Sequence, residues 1–290
     1  MVVGDPEQAE VFFTAHYDTQ AVLPVPNFIT PRNLFWYLVY QILLVAGIFL
    51  CAGVVEAAAI LLFHPPVEVA MMAYGVVLLF FCWWMIDGPA NQHTVNDNTS
   101  GVLTLVETAL ALPAEDRAKV CLVFFDNEEK GMFGSSAFAG KHKRVKKGKL
   151  VVNFDCVSDG NSIQFFPTAR LKKESGLLDK LEEAFLPTAD RQVEVVKGFG
   201  FYPSDNASFK LAAGVCALRH SKVFGWYMSR IHTAKDTVLE EENITLLRDG
   251  CLRLAAEVDK EMERYQTNFP QRRTPSCKTP LWSRAPAPTT

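Results

Sequence analysis

A chain of 290 residues, 49% of them hydrophobic, is long enough for one large α/β domain or two small ones with a real core. Its formal net charge of -3 gives no bulk electrostatic reason to expect a nucleic-acid partner. Seven scattered cysteines, odd in number and without a C-x-x-C pair, argue against a disulfide framework and fit a reducing compartment.

The chain opens without a charged stretch followed by a short apolar run, so no signal peptide is expected. Residues 11–15 form a short β-rich run that ends at His16. Residues 34–55 carry no charge, and only Gln41 interrupts their apolar character. As a helix they would reach roughly 33 Å, enough for a bilayer core. Glu56 follows, then apolar residues 57–63, then the breaker His64-Pro65-Pro66. A second uncharged run, 69–86, would reach roughly 27 Å. Trp36, Tyr37, Trp83 and Trp84 sit near the ends, where an interfacial aromatic belt belongs. Two buried core helices would explain the same length, but such helices are usually shorter and carry a polar stripe.

The expectation is therefore a membrane hairpin at 33–88, with the bilayer as a partner through residues 34–86. Glu56, costly at mid-membrane, is expected near the far end of the first helix. The tip lacks Lys and Arg, whereas Arg32 and the later run Lys141 to Lys149 lie on the flanks, so the soluble part is expected in the cytoplasm. The basic run itself fits either anionic headgroups beside the hairpin or, more plainly, a solvated helix end and loop.

Beyond the hairpin, residues 102–112 have helical spacing and stop at Pro113, while 120–125 and 150–154 read as buried strands. Residues 174–185 are amphipathic, 214–218 suit a short strand, and 243–265 read as a long helix. This alternation predicts an α/β fold: a mostly parallel mixed sheet sandwiched by helices and interrupted by the hydrophobic hairpin. Residues 1–32 and 89–266 would form one discontinuous catalytic domain. Residues 267–290, rich in Pro, Arg, Thr and Ser, are expected to be a disordered tail.

Polar clusters fall at the ends of these strands. His16-Tyr17-Asp18 puts a histidine and a carboxylate on one face of an extended segment, which suits a metal ligand and the acid that orients it. Residues 124–131 run a buried strand into Asp126, Glu128 and Glu129. Adjacent glutamates point apart, so one can bind metal while the other takes a proton from water. Asp155 ends another strand, Asn96-Asp97 opens a helix whose Gly101 follows, and His232 lies in a loop before Asp236. Each fragment alone has a plain alternative: a solvated acidic turn, a helix cap, a surface histidine.

Taken in order, His16-x-Asp18, Asn96-Asp97-x-x-x-Gly101, Glu128-Glu129-x-Gly131, Asp155 and His232 resemble metallopeptidase family 28, the co-catalytic zinc aminopeptidase type, across about residues 9–265 outside the apolar block. Ser204-Asp205-Asn206-x-x-Phe209 is similar to that family's S-D-H-x-x-F segment, with Asn in place of His. The resemblance implies two zinc ions per chain, with Asp97 bridging them. His16 and Asp155 would complete one site, Glu129 and His232 the other. Glu128 would be the general base and acid, and Asp18 would orient His16. The implied activity is a membrane-associated dinuclear zinc aminopeptidase acting on peptides. The alternatives are a non-catalytic membrane scaffold or receptor of this fold, or glutaminyl-cyclase-like amide chemistry. Against the family pattern, His16 and Asp97 are 81 positions apart, and only 15 residues precede His16, so either the start is misplaced or another strand covers the sheet edge. Ile231 stands where some relatives place an oxyanion-stabilising tyrosine nearby.

Overall fold

The computed structural model describes residues 1–23, 25 and 27–257. The expected tail at 267–290 and the last part of the helix expected at 243–265 lie outside the described residues. In chain order the elements are β1 (Val2–Val3), β2 (Val11–His16), α1 (Leu34–Phe63), α2 (Val67–Asp87), α3 (Ser100–Ala111), β3 (Val120–Phe125), α4 (Phe133–Lys141), α5 (Lys143–Gly148), β4 (Leu150–Phe154), β5 (Ser162–Pro167), α6 (Ser175–Ala184), β6 (Gln192–Val195), β7 (Ala212–Ser221), β8 (Gly225–Tyr227) and α7 (Glu241–Glu257).

The sheet runs β1-β3-β2-β4-β7-β5-β6, with β8 paired to β7. Its centre, β3-β2-β4-β7, is parallel, while β7 meets β5 antiparallel and β5 meets β6 parallel. The expected mixed, mostly parallel sheet is present. β2, β3 and β4 are buried along their whole length, as continuous apolar strands in a parallel sheet must be. Val11, Phe13 and Ala15 face one layer, where Leu105, Leu181, Leu247 and Leu254 come in from α3, α6 and α7. Phe12, Val123 and Phe125 face the other, against Ala139 and Val145 of α4 and α5. The alternation is the period of two expected of strands. The short β1 lies along the outer edge of β3, antiparallel to it, with the Met1 amine donating to Phe124 O at 2.8 Å.

α1 and α2 are two long helices packed on each other. The first is continuous through Glu56, which lies two turns before its end. Asn33 caps it, its side chain accepting from Trp36 N. His64 turns the chain in the left-handed region before Pro65-Pro66. Only Ala52 and Ala70 are buried, and residues such as Leu50, Leu61 and Phe63 are largely exposed. The core of the sheet domain therefore does not cover these faces.

The basic run does not lie beside the hairpin. Lys149 precedes β4 and pairs with Glu10 before β2 at 2.7 Å, and His142 and Arg144 approach Glu7. All three contacts sit at the amino ends of parallel strands, whereas the chain enters α1 from beyond the carboxyl end of β2. The five to six residues of strand between them separate the two ends by roughly 16–20 Å. Lys141, Lys143, Arg144, Lys146 and Lys147 are exposed, while Lys149 is buried in its pair with Glu10.

Candidate metal centre

The strands deliver their last side chains to one place, as open parallel sheets do at carboxyl ends. His16 is the final residue of β2, and the acidic turn Asp126 to Glu129 follows β3. Asp155 follows β4, and Asp97 sits in the irregular turn at the amino end of α3. The peptide between Asp97 and Asn98 is cis. Gly101 is explained by closeness: a Cβ there would come within 2.5 Å of Asn98 Oδ1 and of Phe154 O, so only glycine lets α3 start against β4. His232 occupies a loop residue with φ of 60°.

Asp97 is the centre of the arrangement. Its Oδ1 lies 3.3 Å from His16 Nε2, and Asp155 Oδ1 lies 3.5 Å from the same nitrogen. Its Oδ2 lies 2.8 Å from His232 Nε2, which is 3.3 Å from Glu129 Oε1. Each oxygen of one carboxylate thus faces its own imidazole and its own second carboxylate. Donor atoms within 4.8 Å of one another define the groups His16–Asp97–Asp155, Asp97–Glu129–His232 and His16–Glu128–Glu129. All the sequence-expected site residues converge here.

A layer behind them fixes their directions. Asp18 lies 3.5 Å from His16 Nδ1 and also accepts from the backbone N–H groups of Glu128 (3.1 Å) and Glu129 (3.2 Å). It therefore holds both the imidazole and the glutamate turn. Asp236 accepts from Asn96 N at 2.7 Å and Asp97 N at 2.9 Å, which pins the central carboxylate from the backbone. Asn27 places its amide 3.2 Å from His232 Nδ1. Asn98 accepts from Gly101 N and donates to Phe154 O, tying the Asp97 turn to β4.

The electrostatics follow from crowding charge in a buried place. Burial alone would raise the Asp97 carboxyl, but hydrogen bonds from His16 and His232 hold it well below the usual range. Burial disfavours charge on His16, yet Asp155, Asp18 and Asp97 outweigh it and raise its pKa well above the ordinary value. His232 is raised in the same way by Asp97 and Glu129 against its own burial. Burial, with the charges of Asp155 and Glu129, pushes Glu128 up to about 9. Burial beside Asp97 also raises Glu129.

The residues fit divalent cations. Asp97 Oδ1 and Glu129 Oε1 are buried and lack a hydrogen-bond partner, which is costly unless something else satisfies them. Nitrogen and carboxylate donors suit zinc.

Around the donors is a cavity of about 140 Å³, lined on its other side by Ile29, Tyr37, Tyr202, Pro203 and Ile231. Ile231 has no proton to offer an oxyanion. Tyr202 lines the same space, but its hydroxyl donates to Asp155 O at 3.1 Å. Reading the sequence misses Asn27, Tyr37 and Tyr202, and leaves Asp236 without a role. Asp236, four residues past a candidate ligand histidine, is the only one with a local signal.

Residues 77–252, more than half the chain, match the model of peptidase family M28. No curated protein matches. Among solved structures, the chain is similar to the LapA aminopeptidase of Legionella pneumophila (22% identity, TM-score 0.43, 57% of this chain and 46% of that one). It is also similar to BSAP, a zinc aminopeptidase from Bacillus subtilis (17%, 0.42, 57% and 42%). A third is nicastrin, the gamma-secretase component (11%, 0.45, 87% and 41%). The chain spans less than half the length of each. His16 and Asp18 precede the matched span, yet the fold sets them against the ligands within it. By that match the chain belongs to peptidase family M28.

Proposed function

We propose that this chain is a membrane-tethered dinuclear zinc aminopeptidase. The observation that carries the reading is the Asp97 carboxylate, each oxygen of which faces a separate histidine–carboxylate pair. Asp97 would bridge two ions, one completed by His16 and Asp155, the other by Glu129 and His232. Bound there, two divalent cations would polarise a peptide carbonyl and acidify a water at neutral pH. Glu128, high in pKa from burial among acids, becomes a carboxylate beside that positive charge, takes a proton from the water and returns it to the departing amine. Asp18 keeps His16 and the glutamate turn in register, and Asp236 does the same for Asp97.

The catalytic domain would comprise 1–32 and 89–266, with 33–88 as an inserted hairpin. Two helices of 30 and 21 residues, each with 6% of its apolar window buried, support a bilayer as the partner for their surfaces. Arg32 at the root, with no Lys or Arg between the helices, supports a cytoplasmic catalytic domain.

The test is zinc per chain in detergent-purified protein, followed by hydrolysis of aminoacyl substrates. Two zinc ions, falling sharply in Asp97→Ala, with Glu128→Gln inactive but still loaded, is the expected result. Folded protein that binds no zinc would refute the reading and favour a scaffold.

A further inference from the structure

We infer that Tyr37, carried by the first helix of the hairpin, is a specificity-determining residue: it forms part of the pocket that receives the substrate's first side chain and selects an apolar one. The inference rests on the peptidase reading above and adds to it the substrate class and the residue that sets it.

Tyr37 is the fourth residue of α1, yet it lines the cavity that also contains Asp97, Glu128 and His232. The cavity has a donor side and an apolar side. Ile29, Pro203 and Ile231 form the apolar side with Tyr37, and the charged groups lining the cavity are those already assigned to the metal and the general base. Among the described residues no spare charge lines the cavity to pair with a lysine, arginine or acidic side chain.

The wall is held in place from several directions. The Tyr37 ring packs edge-on against Phe201 at 5.9 Å, and Phe201 N donates to Pro31 O at 2.8 Å. Trp36, next in the helix, donates through Nε1 to Val223 O at 3.1 Å. Ile29 and Met228 exchange two backbone hydrogen bonds of 3.0 Å. Phe28 sits between Tyr40 of the helix and Phe224 and Tyr227 of the sheet domain. The root of the hairpin is therefore a fixed wall of the pocket.

The experiment compares full-length wild type, Tyr37→Ala and Tyr37→Phe in detergent on leucyl, alanyl and lysyl p-nitroanilides, with zinc per chain measured on each sample. Binding of leucine hydroxamate by calorimetry supplies a readout independent of turnover. Wild type is expected to favour the leucyl substrate. Tyr37→Ala should lose at least tenfold in kcat/KM for leucyl, mainly through KM, with lysyl little changed and zinc retained. Hydroxamate binding should weaken by a similar factor, and Tyr37→Phe should keep both. Should Tyr37→Ala lose zinc, Tyr37→Gln, which keeps bulk but replaces the apolar face with a polar one, carries the same comparison. An unchanged leucyl-to-lysyl ratio in a zinc-loaded variant overturns the inference while leaving the peptidase reading intact. A zinc-loaded wild type that hydrolyses none of the three overturns both.

Discussion

Asp205 offers a quantitative test of the electrostatics around the centre. It is fully buried, and neither carboxylate oxygen has a hydrogen-bond partner of normal geometry. Burial pushes its pKa from the usual 3.8 to about 7, only partly offset by the Ser135 hydroxyl and the charge of His16. The folded state therefore keeps a proton that the unfolded chain releases above about pH 4. Because the folded pKa is the higher one, this group's contribution to stability is greatest in acid and falls as pH rises to about 7. Each tenfold displacement of the proton equilibrium is worth about 1.4 kcal/mol, so an ionised Asp205 costs the folded state about 4 kcal/mol above pH 7. Asn cannot ionise and removes that cost. In chelator-treated protein, the stability advantage of Asp205→Asn should grow by about 3 kcal/mol between pH 5 and pH 8. In a domain of this size that is a widening of the Tm difference by roughly 6–12 °C. An advantage that is the same at both pH values would refute the reasoning.

Two further outcomes follow from the ligand geometry. His16 and His232 hold protons well above the ordinary histidine pKa, and each must give its proton up before Nε2 can bind a metal. Zinc affinity of chelator-stripped protein should therefore rise with pH through the neutral range, with proton uptake by the buffer in calorimetry; a flat affinity from about pH 6 to about pH 8 would contradict this. Asn27→Leu removes the group facing His232 Nδ1 and should weaken zinc binding by about 10–100-fold, read by competition with a chelator, while an unchanged affinity would show that the loop alone orients the imidazole.

The central strands and the site fragments at their ends were legible because burial on both faces leaves a continuous apolar run, and because ligands must sit where such runs stop. β5 and β6 were not. Ser162, Gln164 and Pro167 break the apolar run of β5, and β6 is four residues long with polar positions at Gln192 and Glu194. α4 contains the weak helix formers Gly134, Ser135, Ser136 and Gly140. It forms because Phe138 packs on Phe12 and Phe125, a tertiary override of weak propensity. β7 runs to Ser221, beyond the expected 214–218, because Arg219 to Ser221 leave the core to pair with β8. Asn27 and Tyr37 lie far in sequence from the His232 loop they approach, so no spacing rule reaches them.

The 81 positions between His16 and Asp97 close to a short distance because both roots of the hairpin leave from one place. Ala21 and Ala90 form an antiparallel bridge, Val22 N donates to Pro89 O at 2.8 Å, and Asn91 N donates to Gln20 O at 2.9 Å. Trp84 Nε1 adds a bond to Val22 O at 2.9 Å. A long insertion closed this way adds little loop entropy, since that cost grows only with the logarithm of length and the helices order themselves against each other. The same strap reaches the metal ligand: Leu23 N donates to His232 O at 2.8 Å, and Asn91 Nδ2 donates to Thr233 O at 3.2 Å. His232 occupies a left-handed conformation that a non-glycine residue adopts only when its surroundings fix it, and those surroundings are the two strands of the hairpin root. In this chain the roots of α1 and α2 thus form a clamp on the His232 loop through residues 23, 27 and 91.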